Sequence, residues 1–254
     1  MIVKPVILIP TYNESIAIVE LLTSLSTIQS TYDFDVIVLD DNSPDKTADI
    51  VDSLHFAWVQ VMRRPGKAGL GAAYRAGFAE VLSKVDNGAN YTHVVTMDAD
   101  GSHRVEDLPA MLAAIAPDSL SITLGTRWIS GGSVVNWPLH RQLLSRAGTF
   151  YARLALGIPL HDLTGGFRIY SVDLLRKLNF TAMQATGYCY QIEMAMAADA
   201  AGAVAREVPI TFVERINGVS KMSKNIVVEA LWQTTIWGLS RLRRSNADKL
   251  HYVK

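Results

Sequence analysis

Val94-Val95-Thr96-Met97-Asp98-Ala99-Asp100 is a short apolar run that ends in two carboxylates one residue apart. An apolar run of this length, closed by polar residues, predicts a buried strand. The pattern recurs upstream. Val6-Ile7-Leu8-Ile9 runs into Pro10-Thr11-Tyr12-Asn13-Glu14, and Phe34-Asp35-Val36-Ile37-Val38-Leu39 runs into Asp40-Asp41-Asn42-Ser43-Pro44-Asp45. Residues 59–62 and 120–124 supply two further strands. Helices are predicted between them: from a cap at Asn13 through residue 25, from a start at Ser43-Pro44, over 69–85 and over 105–115. Strands alternating with helices predict an α/β fold with a mostly parallel central sheet.

In such sheets, ligands bind at the carboxyl ends of the strands. The residues at those ends include Pro10 to Glu14, Asp40-Asp41, Arg63-Arg64, Asp98-Ala99-Asp100 and Gly125-Thr126-Arg127, so acids and polar groups gather at one edge. No GxGxxG follows the first strand and no GxxxxGK[ST] is present, which excludes a dinucleotide fingerprint and a P-loop. Gly66-Lys67-Ala68-Gly69-Leu70-Gly71 is glycine-rich but follows the third strand.

The second half is less regular. Residues 139–156 are predicted helical and carry Arg141, Arg146 and Arg153. Gly165-Gly166-Phe167-Arg168-Ile169-Tyr170 reads as a turn into a strand, 192–201 as a core helix, and 208–213 as a strand. Residues 223–244 read as a long amphipathic helix with Val228, Trp232, Thr235, Ile236, Leu239 and Leu242 on one stripe. Without repeats or low-complexity linkers, the simplest division is one catalytic domain over 1–221 and a C-terminal amphipathic helix and tail over 222–254. That helix packs on its own domain or lies on a membrane surface.

Composition narrows the function classes. Among 254 residues, 49% are apolar and 19% charged, enough to bury a large core. The 24 basic and 24 acidic residues balance, which argues against nucleic acid as a partner. The balance is uneven along the chain: residues 1–124 hold 8 basic and 16 acidic side chains, residues 125–254 hold 16 and 8. The first half thus suits a cation and the second half anions. The single cysteine, Cys189, excludes an internal disulfide and reads as a small buried side chain. No leader and no transmembrane run is visible, so a cytoplasmic protein, peripheral at the membrane surface, is expected.

Asp98 and Asp100 leave the apolar layer together and repel each other unless a cation lies between them. Mg²⁺ and Mn²⁺ take oxygen ligands, often one or two carboxylates plus substrate phosphates. A helix-capping turn is the plainer reading, but the neighbouring strand-end acids favour a metal. Asp40 and Asp41 suit a ribose or a base, or a helix cap, and Tyr12 offers a ring for stacking.

The ordered set formed by Pro10-Thr11-Tyr12-Asn13-Glu14, Val38 to Asp45, Gly69-Leu70-Gly71, Asp98-Ala99-Asp100 and Gly125-Thr126-Arg127 resembles the inverting family 2 glycosyltransferases of GT-A fold. Asp162-Leu163-Thr164-Gly165-Gly166-Phe167-Arg168 and Arg215-Ile216-Asn217-Gly218-Val219-Ser220-Lys221-Met222 resemble the dolichol-phosphate (polyprenol-phosphate) mannosyltransferases. Two positions depart from that pattern: Ser102, where some members carry a further metal-binding Gln, and Asn42, where Gly is common.

The resemblance implies inverting transfer of mannose from GDP-mannose to a polyprenyl phosphate, with Mg²⁺ or Mn²⁺. It places Pro10, Tyr12, Glu14, Leu39, Asp41, Asp98, Ala99, Asp100 and Lys221 at the donor, with Asp98 and Asp100 on the metal. It places Arg127, Arg141, Ser145 and Arg215 at the acceptor phosphate, and makes Asp98, Asp100, Arg127 and Arg215 the catalytic set. A lipid acceptor and the lack of a transmembrane segment leave room for a separate membrane-anchoring subunit. The alternatives weighed beside it are a polyprenyl-phosphate glucosyltransferase or other family 2 sugar transferase, a nucleotidyltransferase, and a non-catalytic subunit on the same scaffold.

Overall fold

The structure is a computed structural model describing residues 3–183, 185, 187–214, 224–243 and 252–253. Seven strands form one sheet in the order β3-β2-β1-β4-β7-β5-β8. They are β1 (Pro5–Thr11), β2 (Asp35–Asp40), β3 (Val59–Arg63), β4 (His93–Thr96), β5 (Ser121–Thr126), β7 (Arg168–Ser171) and β8 (Val204–Pro209). All neighbouring pairs are parallel except those of β7, which runs against both β4 and β5. The mostly parallel α/β sheet expected from the sequence is thus present. The direction of the reversed strand is a feature that periodicity does not encode.

Alternate residues of each strand feed opposite layers, as a period of two requires. Val6 and Leu8 face a layer built with α3 (Leu70–Asp86), α6 (Val172–Lys177) and α7 (Gly187–Ala200). Ile7 and Ile9 face a layer with α1 (Ser15–Tyr32) and α4 (Leu108–Ala113). Cys189 is buried in the first layer, as expected.

Local differences from the sequence reading have physical causes. The first helix runs on to Tyr32, and within it Thr23, Ser24, Ser26 and Thr27 turn their hydroxyls back onto backbone carbonyls one turn earlier, so these polar side chains are accommodated without breaking it. Its N-cap is Glu14, not Asn13. The second helix, α2 (Thr47–Ser53), starts after Pro44, because Asp45 accepts from Thr47 N–H at 3.1 Å and from Ser15 N–H at 3.0 Å and so seats the starts of both helices. Asn42 has φ 56°, a left-handed conformation that Asn tolerates better than most side chains. The strand expected over 208–213 is broken after Pro209. Residues beyond it form β9 (Thr211–Val213), which pairs with β6 (Ser133–Val135) in a separate two-stranded sheet.

Outside the sheet, α5 (Leu139–Leu156) packs against α8 (Lys224–Arg243), with Tyr151 Oη 2.6 Å from Thr235 Oγ1. Among the described side chains of α8, Thr234 and Trp237 are buried. Of the described members of its expected apolar stripe, Thr235 meets α5, whereas Trp232 is 67% exposed, and Ile236 and Leu239 are exposed too. Leu139, Leu143, Phe150 and Leu154 form a matching exposed stripe on α5. The boundary expected at 221/222 falls outside the described residues. Of the tail, Tyr252 is buried and its carbonyl accepts from Asn179 N–H at 2.9 Å.

Candidate active site

The connections reverse direction at β1: the chain goes from β1 to β2 and β3, then returns to place β4 on the other side of β1. Such a switch point opens a crevice at the strand ends. A cavity of about 370 Å³ lies there, lined by Pro10, Thr11, Tyr12 and Glu14 after β1, Asp41 after β2, and Asp98, Ala99 and Asp100 after β4. The structure therefore gathers seven of the nine residues expected at the donor. Leu39 is a correction. It is fully buried, and its two methyl groups lie 2.8 and 3.3 Å from where a side chain on Gly77 would begin. Its place in the strand alternation turns it toward α3. Lys221 and Arg215 lie outside the described residues.

The two neighbouring acids of β2 have separate tasks. Asp40 is buried and holds the following turn, accepting from Thr11 Oγ1 at 3.0 Å and Ser43 N–H at 2.9 Å. Asp41 faces the cavity, with Arg64 paired to it and Ala68 N–H 3.4 Å away. Lys67, also on the cavity wall, puts its ammonium 4.2 Å from the centre of the Tyr12 ring.

At β4, Asp98 N–H donates to His103 Nδ1 at 3.0 Å. The acceptor role of Nδ1 puts the proton of the neutral ring on Nε2, 3.9 Å from Asp98 Oδ2. His103 is buried and stacked on Phe167, so it fixes the Asp98 backbone. Asp100 Oδ1 accepts from Ser102 N–H at 3.1 Å. Below the acids, burial pushes the Tyr74 phenol well above its ordinary pKa, with Asp98 and Asp100 adding to the effect. The Tyr74 phenol thus stays neutral.

The opposite wall is made by the loop before β7 and by α7, with Thr164, Gly166 and Gln191 lining the cavity. Asp162 anchors that loop. Its carboxylate accepts from Arg127 Nε at 2.6 Å and Nη2 at 2.8 Å, and from the N–H groups of Thr164 and Gly165. Burial alone would raise the Asp162 pKa, but the Arg127 charge and hydrogen bonds outweigh it and hold the group below its ordinary value. Arg168, fully buried, completes the frame by donating to the carbonyls of Gly165, Gln191 and Leu163.

Arg127 therefore has a different occupation from the one expected. It is only 5% exposed, committed to Asp162 and Thr164, and surrounded by the rings of Trp128, Trp137 and Phe212. Arg141 is half-buried, paired with Glu214, and 4.0 Å from the Trp137 ring centre. Ser145 is half-buried on the same helix. Neither lines the crevice.

The sequence reading missed Lys67, Thr164 and Gln191 as lining residues. Gln191 is buried, and neither its amide nitrogen nor its oxygen has a hydrogen-bond partner among the described residues. Lys67 sat in the noted glycine-rich stretch and Thr164 in a quoted motif; nothing in the sequence around Gln191 set it apart.

A family model described as glycosyl transferase family 2 matches residues 6–178, which hold every strand-end acid of the crevice. The chain belongs to glycosyltransferase family 2. Two relatives match nearly end to end. A polyprenol monophosphomannose synthase of Mycolicibacterium smegmatis is 39% identical over 95% of this chain and 90% of its own. An undecaprenyl-phosphate mannosyltransferase of Micrococcus luteus is 42% identical over 92% of this chain and 93% of its own. Among solved structures, glucosyl-3-phosphoglycerate synthase from Mycobacterium tuberculosis, in complex with Mn²⁺, UDP and phosphoglyceric acid, superposes with a TM-score of 0.65. It does so at 18% identity, covering 94% of this chain and 78% of that one. The same enzyme was also solved with Mg²⁺ and UDP. That likeness shows that this family 2 member has the GT-A-like α/β fold.

Proposed function

We propose that this chain transfers mannose from GDP-mannose to a polyprenyl phosphate, with inversion at the anomeric carbon. The observation that carries the reading is the convergence of Tyr12, Asp41, Asp98, Asp100 and Gln191 on one crevice. The two mannosyltransferase relatives support the choice of sugar and acceptor class.

Tyr12 and Asp41 bind the nucleoside at the β1–β2 end. Asp98 and Asp100 hold the divalent cation, Mg²⁺ or Mn²⁺. Their chemistry fits a hard ion: two carboxylates, one residue apart, line the same cavity. The remaining ligand positions suit diphosphate oxygens. When bound, such a cation stabilises negative charge on the departing diphosphate. Gln191 meets the hexose hydroxyls, since a buried carboxamide with free donors and a free acceptor needs polar partners.

The acceptor, a phosphate monoester, is already ionised near neutral pH, its second pKa being about 6. It needs orientation more than a base. Arg141, Ser145 and Arg215 take that role, and Arg127 acts by holding the loop from Asp162 to Gly166 in place. Lys221 binds the donor phosphates.

No helix among the described residues is long and apolar enough to cross a membrane. The exposed stripes of α5 and α8 support a peripheral position, with their apolar side chains at the lipid boundary. A domain over 1–221 followed by a C-terminal amphipathic helix and tail over 222–254 fits this arrangement.

The reading is tested with a panel of radiolabelled nucleotide sugars and a polyprenyl phosphate acceptor. Mannose incorporation from GDP-mannose into a lipid-extractable product is expected. Preferred use of UDP-glucose, or no transfer at all, would overturn it.

A further inference from the structure

A second cavity, of about 260 Å³, is lined by Trp128, Arg146, Thr149, Phe150, Arg153 and His161. It shares no lining residue with the crevice at the strand ends. Its polar equipment is one-sided. The arginines only donate, and so does the indole N–H. No carboxylate is part of the wall; Glu207 lies behind it, paired with His161 at 2.7 Å. The Arg146 guanidinium is 4.8 Å from the Trp128 ring centre, an arrangement that holds its fork in place.

Two donors in this wall lack partners. Thr149 is 3% exposed, and neither its hydroxyl nor the buried Trp128 Nε1 has a hydrogen-bond partner among the described residues. A buried donor left unpaired is costly, so the site is made for a ligand rich in acceptor oxygens. Two arginines beside it set the sign of that ligand: an anion with several oxygens, which is a phosphate group.

The surroundings choose the source of the phosphate. Phe150 lines the cavity yet is 66% exposed, and Leu143 and Leu154 stand exposed on the same stripe of α5. A phosphate in this cavity has two arginines, Arg146 exposed and Arg153 half-buried, and the exposed apolar side chains of α5 beside it. That is the profile of a lipid headgroup at the edge of a bilayer.

We infer that this cavity is a binding site for the headgroup phosphate of an anionic glycerophospholipid, separate from donor and acceptor. The inference rests on the membrane-facing reading of α5 proposed above. Bound there, the lipid fixes the height and tilt of α5 on the membrane.

The test uses the full chain, vesicles of phosphatidylcholine with and without phosphatidylglycerol, and a water-soluble short-chain phosphatidylglycerol. Wild type is expected to favour the anionic vesicles, and Arg146→Gln with Arg153→Gln to lose about thirtyfold of that preference, the scale for two cations at an anionic surface. Thr149→Val keeps the charge, so a several-fold loss there marks a built site; an unchanged preference in Thr149→Val would mean diffuse attraction and overturn the proposal. So would an unchanged preference in the double variant, or failure of the short-chain lipid to bind wild type. Displacement of that lipid by equimolar inorganic phosphate would assign the cavity to free phosphate and overturn the lipid source. Leu143→Gln with Leu154→Gln tests the membrane reading by itself. Loss of binding to both vesicle types, with short-chain lipid binding kept, supports both ideas. Unchanged vesicle binding in that variant removes the α5 stripe and overturns the lipid assignment. Mannosyl transfer to a short-chain acceptor in detergent is expected to survive the double Arg variant, which separates failure at this cavity from failure of the catalytic proposal.

Discussion

Arg127 and Asp162 form a two-pronged ion pair that is almost completely buried, 2.6 Å and 2.8 Å between heavy atoms. It ties the end of β5 to the loop that precedes β7. Removing one partner leaves the other charge buried without compensation, which costs about 3–5 kcal/mol. Asp162→Asn is therefore expected to unfold at markedly lower denaturant concentration than wild type. A midpoint within experimental error of wild type would show that the pair contributes little.

The same carboxylate gives a signed dependence on pH. Its folded pKa lies below the ordinary value of 3.8, so its contribution to stability is present above that value. The contribution is lost as the pH falls through the lower, folded value. The gap in stability between wild type and Asp162→Asn should accordingly be widest near neutrality and shrink in acid below about pH 4. Denaturant titrations of both proteins across that range measure it, and a gap that widens in acid contradicts the assignment.

Asp100→Ala, and to a lesser degree Asp98→Ala, should abolish divalent-dependent transfer with the fold intact. Loss of charge stabilisation on a leaving diphosphate is worth several kcal/mol at the transition state. Circular dichroism checks the fold, and rates with and without EDTA check the chemistry. Transfer that persists in EDTA would remove the metal from the mechanism.

Gln191→Leu keeps the volume of the side chain and deletes its hydrogen bonds. With the carboxamide on the hexose, kcat/KM for GDP-mannose falls about 10- to 100-fold, the range expected for buried hydrogen bonds of 1–3 kcal/mol. Affinity for GDP, which lacks the sugar, stays near wild type. An equal loss for GDP and GDP-mannose would place Gln191 at the nucleotide.

The donor edge was legible because its groups sit in contiguous motifs directly after apolar strands. Pro10, Tyr12, Glu14, Asp41 and the Asp98–Asp100 pair needed only the rule about carboxyl ends. Leu39 was misplaced because a strand end fixes position but not face, and the alternation turns this side chain toward Gly77. Gln191 was illegible because it comes from a helix whose sequence reads as plain core. Arg127 looked like an open cation because no local pattern announces a buried acid 35 residues away. The outward stripe of α8 was visible as periodicity, but which side of the helix met the protein depended on Tyr151 and Trp237.

The reversed direction of β7 bears on where this chain can change length. Every other sheet strand whose end borders the crevice delivers its site residues as it leaves the sheet, so the loop beyond can lengthen without disturbing the strand. β7 delivers Gly166 as it enters, between two neighbours that register it on both sides. One residue added between Asp162 and Arg168 would either shift that register, turning Ile169 and Tyr170 to the wrong layers, or push Gly166 into the cavity. Insertions engineered as tags or hinges therefore belong away from the crevice, in the solvent-facing turn from Asn87 to Asn90 between α3 and β4, while the span from Asp162 to Arg168 behaves as a ruler of fixed length.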